Sequence, residues 1–219
     1  KRCFRNGKIP HEIMHNFHLQ YPSFSPEYKI GFENQLLFIG SCFSNNIGQL
    51  AKDHGFNTIS NPFGTLFHPE PIKASLQNAI RNSKEVCFVD TTDFVSDWDS
   101  AHSLQSISKE LHRELILNKR KEVRAALSGE SWLFITLGTS IGYRHKSTNK
   151  IVANCHKQQA SMFKKEYSSP IELFMEWSPF IKELLEWNPQ LKVVFTVSPV
   201  RHKRDGLIEN NRSKARLFV

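Results

Sequence analysis

Residues 36–44 read Leu-Leu-Phe-Ile-Gly-Ser-Cys-Phe-Ser, and this stretch decides the fold. Its first half is a short apolar run that ends at Gly40, which is typical of a strand buried in a parallel sheet. Ser44 can then cap a helix that ends at Gly55. A buried strand that passes directly into a helix predicts an α/β fold.

The alternation of strand and helix continues along the chain. Further strands are predicted at residues 56–59, 86–89, 132–137 and 191–197, and helices at 69–81, 108–127, 171–187 and from 207 onward. Residues 91–106 are expected to be irregular, and residues 143–157 to form a hairpin that turns at 147–149. This order predicts a parallel sheet with helices on both of its faces.

Composition limits the classes of partner. A chain of 219 residues with 39% hydrophobic and 23% charged residues suits a single domain with a real core. The net charge is +8, but the densest basic run, residues 119–121, lies on a predicted helix, so we expect no nucleic-acid partner. No apolar stretch is long enough for a membrane span. The sequence does not determine the oligomeric state.

The four cysteines, Cys3, Cys42, Cys87 and Cys155, are far apart and form no CxxC pair. This spacing supports neither a disulfide framework nor a zinc site, and we expect a cytoplasmic protein without metal or cofactor. The chain starts at Lys1 and stops at Val219, inside the predicted last helix. We therefore expect residues 1–13 to be a non-native or disordered leader, and residues 14–219 to be a domain truncated at its C-terminus.

Three strand ends carry residues suited to chemistry. They are Gly40-Ser41-Cys42, Gly138-Thr139 and the segment 198–202. Ligands of open parallel sheets bind beyond the carboxyl ends of the strands, so we expect these segments to face one cleft. A thiol or hydroxyl at the start of a helix lies near unpaired N–H groups, which favour a thiolate or an oxyanion. On this spacing alone, it is an equally good interpretation that Ser41 only caps the helix and that Cys42 is a buried apolar residue.

Residues 38–44 resemble the motif that names the GSCFA family, with Ser44 where that family usually has Ala. The likeness continues, in order, through residues 61–64, 136–139, 151–157 and 195–202. GSCFA proteins are similar to GDSL/SGNH hydrolases. The resemblance implies a three-layer, flavodoxin-like (SGNH-type) α/β fold and, by analogy, hydrolysis or transfer of an acyl group.

The resemblance also implies site roles. The gapless register places Cys42 at the nucleophile position, and a shift of one residue would place Ser41 there. Gly64 corresponds to the glycine whose N–H contributes to the oxyanion hole, with Gly40 and Gly138 at neighbouring strand ends. The family's Gly-x-Asn block appears as Gly138-Thr139-Ser140, without the Asn, so Thr139 is the candidate replacement.

The general base is expected from an Asp-x-x-His block beyond Val219, because Asp99 and His102 match that spacing only in a mid-chain loop. His202 is a second candidate base and Arg201 a candidate anion ligand, since both follow a strand end. Asn154 and His156, on one face of a strand, are expected to line the cleft together.

These residues predict a hydrolase, acylesterase or acyltransferase that acts on a small-molecule or glycan ester. The alternative is a non-catalytic ligand-binding module of the same fold, which the missing Asn and the missing base favour. As a truncated chain, the protein is expected to be inactive.

Overall fold

A computed structural model describes residues 27–201 and 205–218. The chain divides into units over residues 1–30 and 31–219, and all elements named here belong to the second. In chain order they are β1 (Gln35–Gly40), α1 (Cys42–Asp53), β2 (Asn57–Ser60), α2 (Pro69–Ile80), β3 (Phe88–Asp90), β4 (Val95–Asp97), α3 (Lys109–Ala126), β5 (Ser131–Leu137), β6 (Ile141–His145), a 3₁₀ turn (Ala160–Met162), β7 (Phe163–Tyr167), α4 (Pro170–Trp187), β8 (Lys192–Val197) and α5 (Gly206–Ala215).

The central sheet has four parallel strands in the order β2-β1-β5-β8. The predicted α/β class with a parallel sheet is therefore confirmed. Gly40 at the end of β1 pairs with Thr136, and Thr136 pairs with Thr196 of β8. The carboxyl ends of these three strands consequently lie at nearly the same level.

Side chains alternate between the two faces of the sheet. Leu37 and Ile39 of β1 and Leu133 and Ile135 of β5 are fully buried, in a core shared with residues of α2, α3 and α4. The intervening Phe38 stacks on Phe134 at a centroid distance of 4.6 Å. Helix α1 packs closely against that second face of the sheet. A Cβ at its Gly48 would lie only 3.2 Å from the Phe38 ring.

The structure corrects the predicted start of the first helix. α1 begins at Cys42 and its cap is Ser41, whereas Ser44 lies buried inside the helix. Because Gly40 is the last residue of β1, the backbone turns directly after it, and Ser41 rather than Ser44 takes the cap position. The caps of α3 and α4 are the serines Ser108 and Ser169.

Two connecting segments also differ from the predictions. The segment predicted to be irregular contains β4, which pairs antiparallel with β3. β6 pairs with β7, while Ile151 of the predicted hairpin forms only an isolated bridge to Arg144.

The helix predicted from residue 207 onward is α5, which ends at Ala215. Within the described residues, no helix combines the length and the apolarity needed to cross a membrane.

Candidate functional site

The junction between β1 and α1 is a tight turn at the carboxyl edge of the sheet. Gly40 has φ +133°, and a Cβ there would lie 2.1 Å from the carbonyl oxygen of Thr136. Only glycine fits this close approach between neighbouring strands. The N–H of Ser41 donates to the same Thr136 oxygen at 3.0 Å, so the turn is held against β5.

The two candidate nucleophiles have different surroundings. Ser41 has no exposed surface, and its Oγ accepts the N–H of Phe43 at 3.3 Å as the helix cap. Cys42 is the first residue of α1, and its free thiol is only half-buried. Of the two side chains, only that of Cys42 can meet a substrate without rearrangement of the turn.

Asn61 organises the junction, a role that sequence reasoning missed. Its Oδ1 accepts the N–H of Gly40 at 2.8 Å, and its Nδ2 donates to the Ser41 carbonyl at 3.2 Å and to Asn45 Oδ1 at 2.9 Å. Its backbone has φ +44°, a conformation that Asn tolerates better than most residues. The available signal was an Asn directly before Pro at the end of the second predicted strand.

Most of the predicted oxyanion donors already have partners. The N–H of Gly64 donates to the Asn61 carbonyl at 2.8 Å, which closes the turn. The N–H groups of Gly138 and Thr139 both donate to the Phe67 carbonyl, at 2.8 and 3.1 Å. The N–H of Cys42 lies in the first turn of α1 and makes no hydrogen bond to another described residue. Cys42 itself, rather than Gly64, therefore offers a free backbone donor in this conformation.

A cavity of about 440 Å³ lies beyond the end of β5, and we call it the β5 pocket. Two predicted site residues, Thr139 and Asn154, line it, together with His68, Cys155 and Lys157. Cys42 is not among its lining residues. The pocket and the thiol thus occupy the same edge of the sheet as separate features.

His156 does not share this pocket with Asn154, contrary to the prediction. The segment is not a regular strand there: His156 has φ +47°, and its N–H donates to Asn154 Oδ1 at 2.7 Å. Its ring is buried with Nε2 2.8 Å from the Asp97 carbonyl, and it lines a different cavity, of about 240 Å³, beside His102. Burial lowers the pKa of His156, which keeps the ring neutral.

His68 is a second buried imidazole that the sequence analysis did not single out. Its Nδ1 accepts the N–H of Glu70 at 3.1 Å, as the cap of α2, so its Nε2 carries the proton and donates to Ser168 Oγ at 3.1 Å. Burial lowers the pKa of His68 to about 3. The signal in the sequence was a residue with a ring nitrogen directly before Pro at a helix start.

The remaining predicted residues are Arg201 and His202, together with Asp99 and His102, which match the Asp-x-x-His spacing. Arg201 is exposed, and His202 lies outside the described residues. Asp99 and His102 make no hydrogen bond to each other; His102 Nδ1 instead lies 3.1 Å from Gln105. Among the described residues, no group of three or more His, Cys, Asp and Glu side chains is arranged to hold a metal ion.

Comparison with known proteins gives one match. No curated protein and no solved structure is significantly similar to the chain. The sequence model of the GSCFA family, in contrast, matches residues 35–219, which is most of the chain and includes β1, the junction and every element that follows. The chain belongs to the GSCFA family.

Proposed function

We propose that this protein is an SGNH-like hydrolase or acyltransferase that acts on an ester-type substrate, with Cys42 as its nucleophile. The observation that carries the proposal is the position of the Cys42 thiol. Cys42 forms no disulfide, is a half-buried residue at the start of a helix, and follows a buried strand through a turn that only glycine can make. Thiolates are favoured at helix N-termini and are strong nucleophiles.

The strand order supports the finer fold assignment. Counting only the central strands, β2-β1-β5-β8 is the order 2-1-3-4, with which flavodoxin-like sheets begin. In such sheets the ligand binds where the order reverses, between the first and third strands. Here that place lies between Cys42 after β1 and Gly138-Thr139 after β5. Both observations favour a three-layer, SGNH-type domain.

The proposed chemistry is acyl transfer through a thioester. The Cys42 thiolate attacks the ester carbonyl, and the N–H of Cys42 helps to hold the oxyanion. The general base is a histidine: His202, or the histidine of the Asp-x-x-His block that the family resemblance implies. A cytoplasmic location is also proposed, because Cys42, Cys87 and Cys155 form no disulfide, as expected in a reducing compartment.

Replacement of the thiol tests the proposal. In the full gene product, Cys42→Ala should lower the hydrolysis of para-nitrophenyl acetate by about 10³-fold or more, because the covalent route is lost. Mass spectrometry of the unchanged protein should show one acetyl group on Cys42 during turnover. Cys87→Ala is the control, since Cys87 is an exposed cysteine that forms no disulfide and lies outside the β5 pocket, and it should keep full activity.

Ser41→Ala separates the two candidate nucleophiles. It should lower stability by about 1 kcal/mol through loss of the helix cap, while the folded protein stays active. Activity that survives in Cys42→Ala but disappears in a folded Ser41→Ala protein would transfer the role to Ser41. Equal activity of all these variants would reject the enzyme proposal.

The second candidate function is a non-catalytic ligand-binding module. The observation that favours it is that the β5 pocket does not include Cys42, while the N–H groups of Gly64 and Gly138 are already engaged. Thr139 and Asn154 would then contact a small ligand or a glycan in that pocket. Saturable binding of a glycan ester without turnover by the full gene product would favour this function over the first.

A further inference from the structure

Helix α5 contacts the carboxyl edge of the sheet through two neighbouring residues. Ser213 Oγ accepts the N–H of Ser140 at 2.7 Å and lies 2.8 Å from Thr139 Oγ1, just beyond β5. Lys214 Nζ donates to the carbonyl oxygen of Ser198, the first residue after β8. These contacts fix the Lys214 ammonium beside the ends of β5 and β8.

The strand register brings this ammonium toward Cys42. Gly40, Thr136 and Thr196 are paired across β1, β5 and β8. Cys42 follows the end of β1 and Ser198 follows the end of β8, so both lie at the carboxyl edge of the sheet on either side of β5. Two strand spacings separate them, which is about 10 Å. Lys214 reaches the Ser198 carbonyl from α5, so its ammonium lies on the β8 side of this gap, and Cys42 acts to raise the pKa of Lys214.

Lys214 has no carboxylate partner among the described residues, whereas two other cations form ion pairs on or next to α5. Arg212 on the same helix pairs with Glu209 at 2.8 Å, and Lys165 pairs with Asp205 at 2.6 Å. Lys214 is half-buried, and burial lowers its pKa against the opposing effect of Cys42. A partly desolvated cation that bonds only to a carbonyl oxygen gains strongly from an added anion.

We propose that the Lys214 ammonium binds a negatively charged group on the acyl part of the substrate, so that the Cys42 site selects anionic acyl esters. The inference rests on the proposed function for its chemistry but not for its first test. A separation of about 10 Å between β1 and β8 suits an acyl group that carries its carboxylate a few bonds away from the reacting carbonyl carbon.

The reaction itself is ordinary acyl transfer. The Cys42 sulfur forms a bond to the acyl carbon while the carbonyl electron pair moves to oxygen. Collapse of this adduct breaks the ester C–O bond, and the histidine base, which took the thiol proton, returns it to the departing alkoxide so that the alcohol leaves. Water then hydrolyses the thioester, which releases the acid and restores the thiol. Lys214 stays bonded to the substrate carboxylate throughout and donates no proton to the reacting atoms.

Charge-selective alkylation tests the position of the cation without any need for turnover. The rates of Cys42 modification by iodoacetate and by iodoacetamide are measured by peptide mass spectrometry, and their ratio cancels the reactivity of the thiol itself. Lys214→Met should lower this ratio about five-fold or more at low salt. Lys214→Arg should retain most of it, and Arg212→Met, an exposed cation on the same helix, should leave it unchanged. An unchanged ratio in Lys214→Met would overturn the proposal.

Ester selectivity provides the second arm. The full gene product should hydrolyse the para-nitrophenyl monoester of succinic acid with higher kcat/KM than para-nitrophenyl butyrate, and Lys214→Met should remove this preference mainly through KM. If Lys214→Met leaves the alkylation ratio unchanged while hydrolysis still depends on Cys42, only the role of Lys214 is rejected. A Lys214-dependent alkylation ratio in a protein whose Cys42→Ala variant hydrolyses esters normally supports the anion site and rejects the hydrolase.

Discussion

The free energy of unfolding should fall steeply as the pH drops below 6.5, because the buried His68 ring cannot accept a proton in the folded protein. Its pKa is lowered by burial from 6.5 to about 3, and the charge of Arg144 acts in the same direction. Between these two pH values the unfolded chain binds a proton at His68 that the folded chain does not. The free energy of unfolding therefore falls by about 1.4 kcal/mol for each pH unit in this interval.

The sign follows from the direction of the shift. A lowered histidine pKa means that protonation favours the unfolded state, so stability is complete above pH 6.5 and is lost as the pH falls towards 3. Over the whole interval the loss amounts to about 4–5 kcal/mol, which is a large part of the stability of a typical domain. Protonation also removes the acceptor at Nδ1 that caps α2.

Urea denaturation of His68→Asn and of the unchanged protein, at pH values from 7.5 to 4.5, measures this effect. Asn is a good helix cap but does not titrate, so the variant should lose the His68 part of the slope. His54→Asn is the control for the same change of residue type at an exposed helix end. The pKa of the neighbouring Glu70 is raised, which stabilises the folded protein as the pH falls. This contribution is opposite to that of His68 and is present in all three proteins. Equal slopes in His68→Asn and the unchanged protein would contradict the prediction.

The central part of the fold was predictable because its signals are local. β1, β5 and β8 are short apolar runs, and α3 and α4 have clear apolar periodicity with serines at their starts. The cap of α1 was not predictable, because Ser41 and Ser44 are both good caps. The choice between them depends on where the β1 ladder ends against β5, which is a tertiary contact.

The site was predictable only as far as its motif reaches. The turn at Gly40 to Cys42 is visible in the sequence, but its support by Asn61 depends on hydrogen bonds across about twenty residues. For the same reason the engaged N–H of Gly64 and the burial of His156 could not be derived from spacing. Lys214 gave no local signal, because its relation to Cys42 depends on how α5 lies on the strand ends.

Asn61→Ala should be the most damaging single change near the site, with a loss of about 3–5 kcal/mol. The Gly40 N–H and the Ser41 carbonyl would lose the buried partners that they have in Asn61. A buried unsatisfied polar group costs about 1–3 kcal/mol, and an alanine in the left-handed conformation adds about 1–2 kcal/mol. Urea denaturation at pH 7.5, where His68 does not titrate, measures the loss.

Two further variants separate the backbone contribution from the side-chain contribution. Asn82 also has a left-handed backbone, with φ +52°, but it is exposed, so Asn82→Ala should cost only the conformational part. Asn61→Asp keeps an acceptor for the Gly40 N–H and loses both donated hydrogen bonds, so its loss should be intermediate. Since the turn positions the thiol, Asn61→Ala should also change the rate at which iodoacetamide modifies Cys42 in protein that is still folded. If Asn61→Ala cost no more than Asn82→Ala, the hydrogen bonds of Asn61 would not be what holds Cys42 in place.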